Sequence, residues 1–286
     1  MKFPPFVYCR AGSLDEACEM LAVDGARPLG GGQSLLPLMA LRLARPSILV
    51  DLTRIDALAG FDSGQDGKNV LEVGGITTHS ELESSAAVRT NIPVLAAVAR
   101  LIGHPPIRNR GTVGGSIAHA DPAAELPAAC IALDAEVVIA SVDGTRRERV
   151  ESFVTGPYQT SLRDNEFVTR VSFPTPAGRL AGVAEVALRA GDFALAGAIC
   201  VLDDDDARTK ATVTFFGVEA KPRRFELDLD RARSSSDDAY WEEFVSILGD
   251  VVEDSHADAR FRRHLAAVVA RRAYVSASDG EKKAAA

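Results

Sequence analysis

Two glycine-rich segments carry the residue types best suited to holding an anion: Leu29-Gly30-Gly31-Gly32-Gln33-Ser34-Leu35-Leu36, and Gly111-Thr112-Val113-Gly114-Gly115-Ser116-Ile117-Ala118-His119-Ala120-Asp121 further along. Glycine tolerates positive φ and has no Cβ to keep a ligand away, so successive backbone N–H groups can converge on phosphate oxygens. Ser34, Thr112 and Ser116 add hydroxyl donors. A single run of glycines reads equally well as a mobile turn. Two together suit a pyrophosphate gripped from both sides. No G-x-G-x-x-G follows a strand and no G-x-x-x-x-G-K-[ST] occurs, so a dinucleotide site here is neither Rossmann nor P-loop.

Little else in the chain could transform a substrate. There is no G-x-S-x-G elbow, no Cys–His motif and no carboxylate pair spaced for acid/base catalysis, so no catalytic residue is assigned. Cys9, Cys18, Cys130 and Cys200 are scattered without a C-x-x-C pair, which excludes an iron–sulfur cluster held by this chain and reads as small buried residues. The five histidines, His79, His104, His119, His256 and His264, show no metal-ligand spacing, and no metal site is expected. A chain without such groups leaves any reaction to a bound cofactor or to a partner. A net charge of −8 argues against nucleic acid as a partner. No apolar run reaches the length of a membrane span and no signal-peptide layout opens the chain, which reads as cytoplasmic.

At 286 residues the chain fits two or three compact units, and 47% hydrophobic with 25% charged residues is ordinary for globular proteins. Ser13 with Glu16 forms a capping box for a helix carrying Leu14, Ala17, Cys18 and Leu21. Strands are expected at 27–29 and 47–52, with a short helix over 35–43 between them. Residues 62–69 read as a polar hairpin turn before a strand at 70–74, Ser80 as a helix cap, and 93–102 as a helix. Strands at 135–140 and 168–173 are expected to be joined across the turn Asp143-Gly144. The Pro174-Thr175-Pro176-Ala177-Gly178 break is a linker candidate. Asp203-Asp204-Asp205-Asp206 reads as a solvated turn rather than a calcium loop, which would need alternating ligands and a closing glutamate. Helices follow around 240–248 and 258–274. In the latter Phe261, Leu265, Val268 and Val269 share a face while Arg262, Arg263, Arg271 and Arg272 lie opposite, either as a solvated basic side or as a docking surface.

The motifs at 31–37 and 108–122 resemble those of the medium, FAD-binding subunits of molybdenum hydroxylases, the group that includes carbon monoxide and xanthine dehydrogenases and quinoline and nicotine hydroxylases. Further matches lie at 1–8, 13–17, 50–52, at Gly74-Gly75-Ile76-Thr77-Thr78-His79, and at Arg189-Ala190-Gly191-Asp192-Phe193-Ala194, where the family carries Arg-Lys-x-Asp-aromatic. The resemblance implies an α+β chain: a two-part FAD-binding fold of the vanillyl-alcohol-oxidase/PCMH type (1–56 and 57–176), then a C-terminal α+β domain with a small antiparallel sheet and helices (177–280), and a disordered tail (281–286). It implies one non-covalent FAD. Residues 29–36 would wrap the pyrophosphate and ribityl chain, with Gly111, Thr112, Gly114, Gly115, Ser116, Ile117 and Ala118 completing the cradle. Thr77, Thr78, His79, His119, Val168 and Asp192 join them as cofactor-binding candidates. Asp121 and Glu125 are candidates for sugar hydroxyl contacts, or else helix-capping carboxylates. Phe193 would shield the flavin ring, or else sit in the core at a strand start. The implied partners are a small subunit with two [2Fe–2S] clusters and a large molybdenum–pterin subunit, assembled as a dimer of heterotrimers. The alternatives are a self-sufficient FAD-dependent reductase of the same fold, such as the enolpyruvyl reductases, and a cofactor-free interaction protein.

Overall fold

Three parallel strands at the amino end position the first glycine segment. The computed structural model describes residues 3–63, 69–205, 208–234 and 238–284. In chain order, β1 (Val7–Arg10), α1 (Leu14–Leu21), β2 (Ala26–Leu29), α2 (Leu35–Ala40) and β3 (Ile48–Asp51) form a sheet β1-β3-β2 with both pairings parallel. Ser13 caps α1 by accepting the Glu16 N–H at 3.2 Å. Glu16 Oε2, however, takes the Gly12 N–H at 2.7 Å, so the reciprocal half of the expected box closes one residue early. Ala17, Cys18 and Leu21 bury against Val50, Leu52 and Ile55. The second helix ends sooner than expected, at Ala40, and Arg42 has φ 61, which breaks the helical path. Parallel pairing puts the carboxyl ends of all three strands on one side, where the chain leaves Leu29 and Asp51 into loops.

The middle of the chain runs β4 (Phe61–Ser63), β5 (Val70–Gly74), α3 (His79–Ser84), α4 (Ala86–Asn91), α5 (Pro93–Leu101), α6 (Pro105–Arg108), α7 (Val113–His119), α8 (Glu125–Ala132), β6 (Glu136–Ser141), β7 (Gly144–Arg149), α9 (Val150–Phe153), β8 (Val154–Gly156), β9 (Gln159–Thr160) and β10 (Phe167–Pro174). Five of these strands make an antiparallel sheet in the order β4-β5-β10-β6-β7. The Asp143-Gly144 turn therefore joins β6 to β7, not β6 to the strand at 168–173; β10 pairs with the other side of β6. β10 is buried along nearly its whole length, and a strand with that pattern needs neighbours on both edges and cover on both faces. Of the polar turn expected between β4 and β5, residues 64–68 lie outside the described residues. The cap of α3 is Thr78 rather than Ser80: Thr78 Oγ1 accepts the Glu81 N–H at 3.2 Å and Glu81 Oε2 accepts the Thr78 N–H at 2.7 Å, a complete capping box.

The third sheet is β11 (Leu180–Ala187), β12 (Ala194–Asp205), β13 (Arg208–Phe216) and β14 (Arg223–Glu226), paired antiparallel in that order, followed by α10 (Leu229–Ser234), α11 (Ala239–Phe244) and α12 (Ala259–Ala284). α12 lies across β11, and Gly182 makes that approach feasible, since a Cβ there would sit 2.4 Å from Ala273 O. Ile199, Val201 and Phe216 belong to the same apolar cluster as α5, α8 and β10. The aspartate run begins inside β12, where Asp203 pairs with Lys210 and binds Arg179 at 2.6 Å, so Asp203 is not part of a solvated turn; Asp206 lies outside the described residues.

Two readings of the last helix change. Its buried side carries Arg262, Leu265, Ala266, Val269 and Ala270, while Phe261 is exposed. Arg262 and Arg263 turn toward backbone carbonyls of the protein instead of forming a solvated basic face. The helix also continues through Ala284, over most of the segment expected to be a disordered tail. Among the described residues no helix is long and apolar enough to cross a membrane.

Candidate functional site

A cleft of about 370 Å³ opens where the loops leaving β2 and β3 meet the segment before α7. Gly30, Gly31, Thr78 and Thr112, four of the cofactor-binding candidates, line it. Thr53, Ala59, Ile76, Glu81, Asn109 and Arg110 line it as well, and sequence reasoning did not single them out as site residues. Asn109 and Arg110 lie in the 108–122 motif, and Arg110 opens the second glycine segment, which was signal enough to include them. Thr53 follows the carboxyl end of β3, and Asp51 fixes it by accepting both its N–H (2.8 Å) and its hydroxyl (2.7 Å) through Oδ1. Asp51 is buried, and although burial alone would raise its pKa, its bonds to Thr53, Tyr8 and Arg10 hold it below the usual carboxylate range.

The first segment is an open loop. Among the described residues, the backbone N–H groups of residues 30–34 meet no acceptor in the protein. Gly32 has φ +73, and Gln33 Nε2 donates to Gly31 O at 3.2 Å, which braces the turn from inside. Leu29 ends β2, Ser34 stands before α2 with its hydroxyl making no capping bond, and Leu35 and Leu36 open that helix. Successive unpaired N–H groups on a turn whose first three residues lack side chains are a ready anion site.

The second segment is instead the start of α7, capped by Thr112 Oγ1, which accepts the Gly115 N–H at 3.3 Å. Its other early donors are taken: Val113 N–H goes to Thr77 O (2.9 Å), Gly114 N–H to Gly75 O (2.8 Å) and Ser116 N–H to Thr112 O (3.0 Å). The expectation that its consecutive amides converge on phosphate is thereby corrected; what this segment offers the cleft is Thr112 and Arg110. Its glycines serve close packing. A Cβ on Gly114 would lie 2.8 Å from Gly75 O, and one on Gly111 would lie 2.9 Å from the His79 ring. The two segments touch directly, since a Cβ on Gly31 would fall 1.7 Å from Arg110 O.

The remaining expected residues divide between buried supports and a second locality. Thr77 is fully buried with Oγ1 bound to Gly60 N–H at 2.9 Å, and Ile117 and Val168 are buried in the core. His79 is buried with neither ring nitrogen partnered, and burial lowers its pKa to about 4, so the ring is neutral. Gly115, Ser116 and Ala118 lie within α7. His119 ends it, its ring tilted against Tyr158 at 5.2 Å and its pKa lowered by burial. Asp121 is buried, accepts the Ala123 N–H at 2.9 Å and takes the Tyr158 hydroxyl at 3.3 Å, so a local turn is one of its roles. Glu125 opens α8, and burial, with Glu185 and Asp121 nearby, pushes its pKa up to about 8. Asp192 and Phe193 lie in the loop between β11 and β12; Gly191 of that loop packs on His104, and Phe193 is 69% exposed, so it is not a core residue.

A non-Rossmann glycine loop at the carboxyl ends of three parallel strands, closed by a hydroxyl-bearing helix start and one arginine, defines a dinucleotide-cofactor protein. Residues 3–176 match the family described as the FAD binding domain in molybdopterin dehydrogenase. The chain belongs to that family. It is 36% identical to the nicotine 6-hydroxylase medium subunit of Paenarthrobacter nicotinovorans, over 97% of this chain and 99% of that one. It is 33% identical to the carbon monoxide dehydrogenase medium chain of Hydrogenophaga pseudoflava, over 94% and 96%. Its fold matches a chain of quinoline 2-oxidoreductase from Pseudomonas putida 86 with a TM-score of 0.88 at 34% identity, covering 98% of this chain and 99% of that chain. The fold is α+β, and the cofactor is FAD. The residues present fit it: Gly30 and Gly31, with unpaired N–H groups, Thr53, Thr78 and Thr112 with their hydroxyls, and the Arg110 cation line one cleft, and the unpaired N–H groups continue along the loop to residue 34.

Proposed function

We propose that this chain is the FAD-carrying electron-transfer subunit of a heterotrimeric molybdenum hydroxylase, taking electrons from [2Fe–2S] clusters of a small partner subunit and passing them to an acceptor. The observation that carries this is the run of unpaired N–H groups at residues 30–34, of which Gly30 and Gly31 share one cleft with Thr112 and Arg110. Bound FAD supplies the redox chemistry. This chain's residues bind and orient it: the loop amides and Arg110 meet the pyrophosphate, Thr112 donates its hydroxyl, Thr53 and Thr78, whose hydroxyls already donate to Asp51 and Glu81, offer acceptor oxygens, and Asp121 and Glu125 stand at the α7–α8 corner. Relatives named as medium subunits or chains support a larger assembly, with a molybdenum–pterin centre in a large subunit and substrate chemistry there. Residues 1–56 and 57–176 then hold the cofactor, 177–280 cover it, and the complex works in the cytoplasm as a dimer of heterotrimers.

The test is flavin loading of the full chain expressed alone and with its partners. One FAD per chain, released on acid precipitation, and no turnover of purines, N-heteroaromatics or aldehydes without the partners are expected. Yellow colour staying in the acid pellet, or hydroxylation by the isolated chain, overturns the reading.

A further inference from the structure

Arg262 is the buried cation whose contacts reach furthest toward the cofactor residues, and it was expected at the surface. It is 2% exposed. Its Nη1 donates to Leu195 O at 2.5 Å and to Gly217 O at 2.8 Å, and its Nη2 pairs with Asp254 at 2.7 Å. Asp254 is itself fixed, since its Oδ1 accepts the N–H groups of His256 (2.8 Å) and Ala257 (3.0 Å). Removing a guanidinium from water is costly, and breaking its bonds would leave a buried charge uncompensated.

What it holds are two backbone corners. Leu195 is the second residue of β12 and stands two residues after Phe193. Gly217 has φ +69, a Cβ there would meet Ala194 O at 2.8 Å, and its N–H donates to Pro122 O at 2.8 Å. Pro122 directly follows Asp121. The same corner is gripped from its other side by Tyr158, whose N–H donates to Ala120 O at 2.9 Å. One guanidinium on the last helix thus ties the loop carrying Phe193 to the corner carrying Asp121.

We infer that Arg262 is a positioning residue for the FAD site, acting through the carbonyls of Leu195 and Gly217. This rests on the functional reading above and on the roles that the family resemblance implies for Asp121 and Phe193 as residues that contact the FAD. The test compares the full chain with Arg262→Met and Arg262→Lys by FAD titration, flavin fluorescence and flavin midpoint potential. Loss of the charged bonds in Arg262→Met is expected to weaken FAD binding by on the order of tenfold and to shift fluorescence and potential, with Arg262→Lys recovering most of both. A folded Arg262→Met protein with the parent's affinity, fluorescence and potential overturns the inference. Should Arg262→Met not fold, Asp254→Asn, which loosens the guanidinium without removing it, is expected to shift the same readouts in the same direction; unchanged readouts there overturn it too. A parent chain that takes up no FAD breaks the functional reading itself, and the two failures are separate.

Discussion

The segments at 29–36 and 110–118 share glycines and hydroxyls but use them oppositely. In the first, glycine leaves a turn of N–H groups without acceptors, at the open ends of parallel strands. In the second, the N–H groups of residues 113–116 are all bonded within the protein, and Gly111 and Gly114 exist because His79 and Gly75 press against them. Glycine composition therefore marks close approach of backbone in both places. Whether the approaching group is a ligand or another strand of the same chain depends on which acceptors the neighbouring chain supplies.

Substitutions at the two segments should separate these roles. Gly31→Val has the largest expected effect: its Cβ would fall 1.7 Å from Arg110 O, forcing the segments apart, and FAD should be lost together with about 3 kcal/mol of stability. Flavin content and urea unfolding measure both, and full FAD occupancy would show that the contact between segments is dispensable. Gly114→Ala meets Gly75 O at 2.8 Å and should cost about 1–3 kcal/mol, yet leave the FAD affinity of the folded protein near the parent's. A Gly114→Ala chain of parental stability that binds FAD weakly would return Gly114 to the cofactor and erase the contrast.

Smaller effects are expected beyond the second segment. Glu125 sits near 8 and Glu185 near 7, both raised by burial from about 4.5, so the folded chain holds protons that the unfolded chain releases. Their stabilising contribution is complete below about pH 4.5 and lost as pH rises through about 8. Urea midpoints of the parent should fall across that window, and Glu125→Gln should flatten the fall; parallel pH profiles would remove Glu125 as its source. Phe193→Ala comes last. At 69% exposure it should change stability by no more than about 0.5 kcal/mol, while altering flavin fluorescence that Phe193→Tyr preserves. Identical flavin spectra in all three proteins would take Phe193 out of the site.

Much of this was legible in one dimension. Ser13 announces a helix start and the two glycine runs announce close approaches by residue type alone, and the motif lengths were enough to place the family; Thr112, read as a phosphate donor, was not read as the helix cap it is. Thr78 was legible and overlooked: Glu81 stands three residues after it, the capping-box spacing, whereas Ser80 merely lies nearer the helix centre. The cleft walls at Thr53 and Ala59 were not legible, because they converge from separate loops and neither lies in a quoted motif, whereas Ile76 stands within the matched 74–79 segment.

Local chemistry in the sequence thus determined where the backbone may turn, where helices begin, which stretches are apolar and which cofactor class the chain serves. Those outcomes rest on interactions within a few residues. The tertiary structure alone decided which N–H groups stay unpaired and which arginine is buried. The acceptors that silence the second segment come from Gly75 and Thr77, and those that draw Arg262 inward come from Leu195, Gly217 and Asp254. A donor's fate is set by partners distant in sequence, and no local pattern records them.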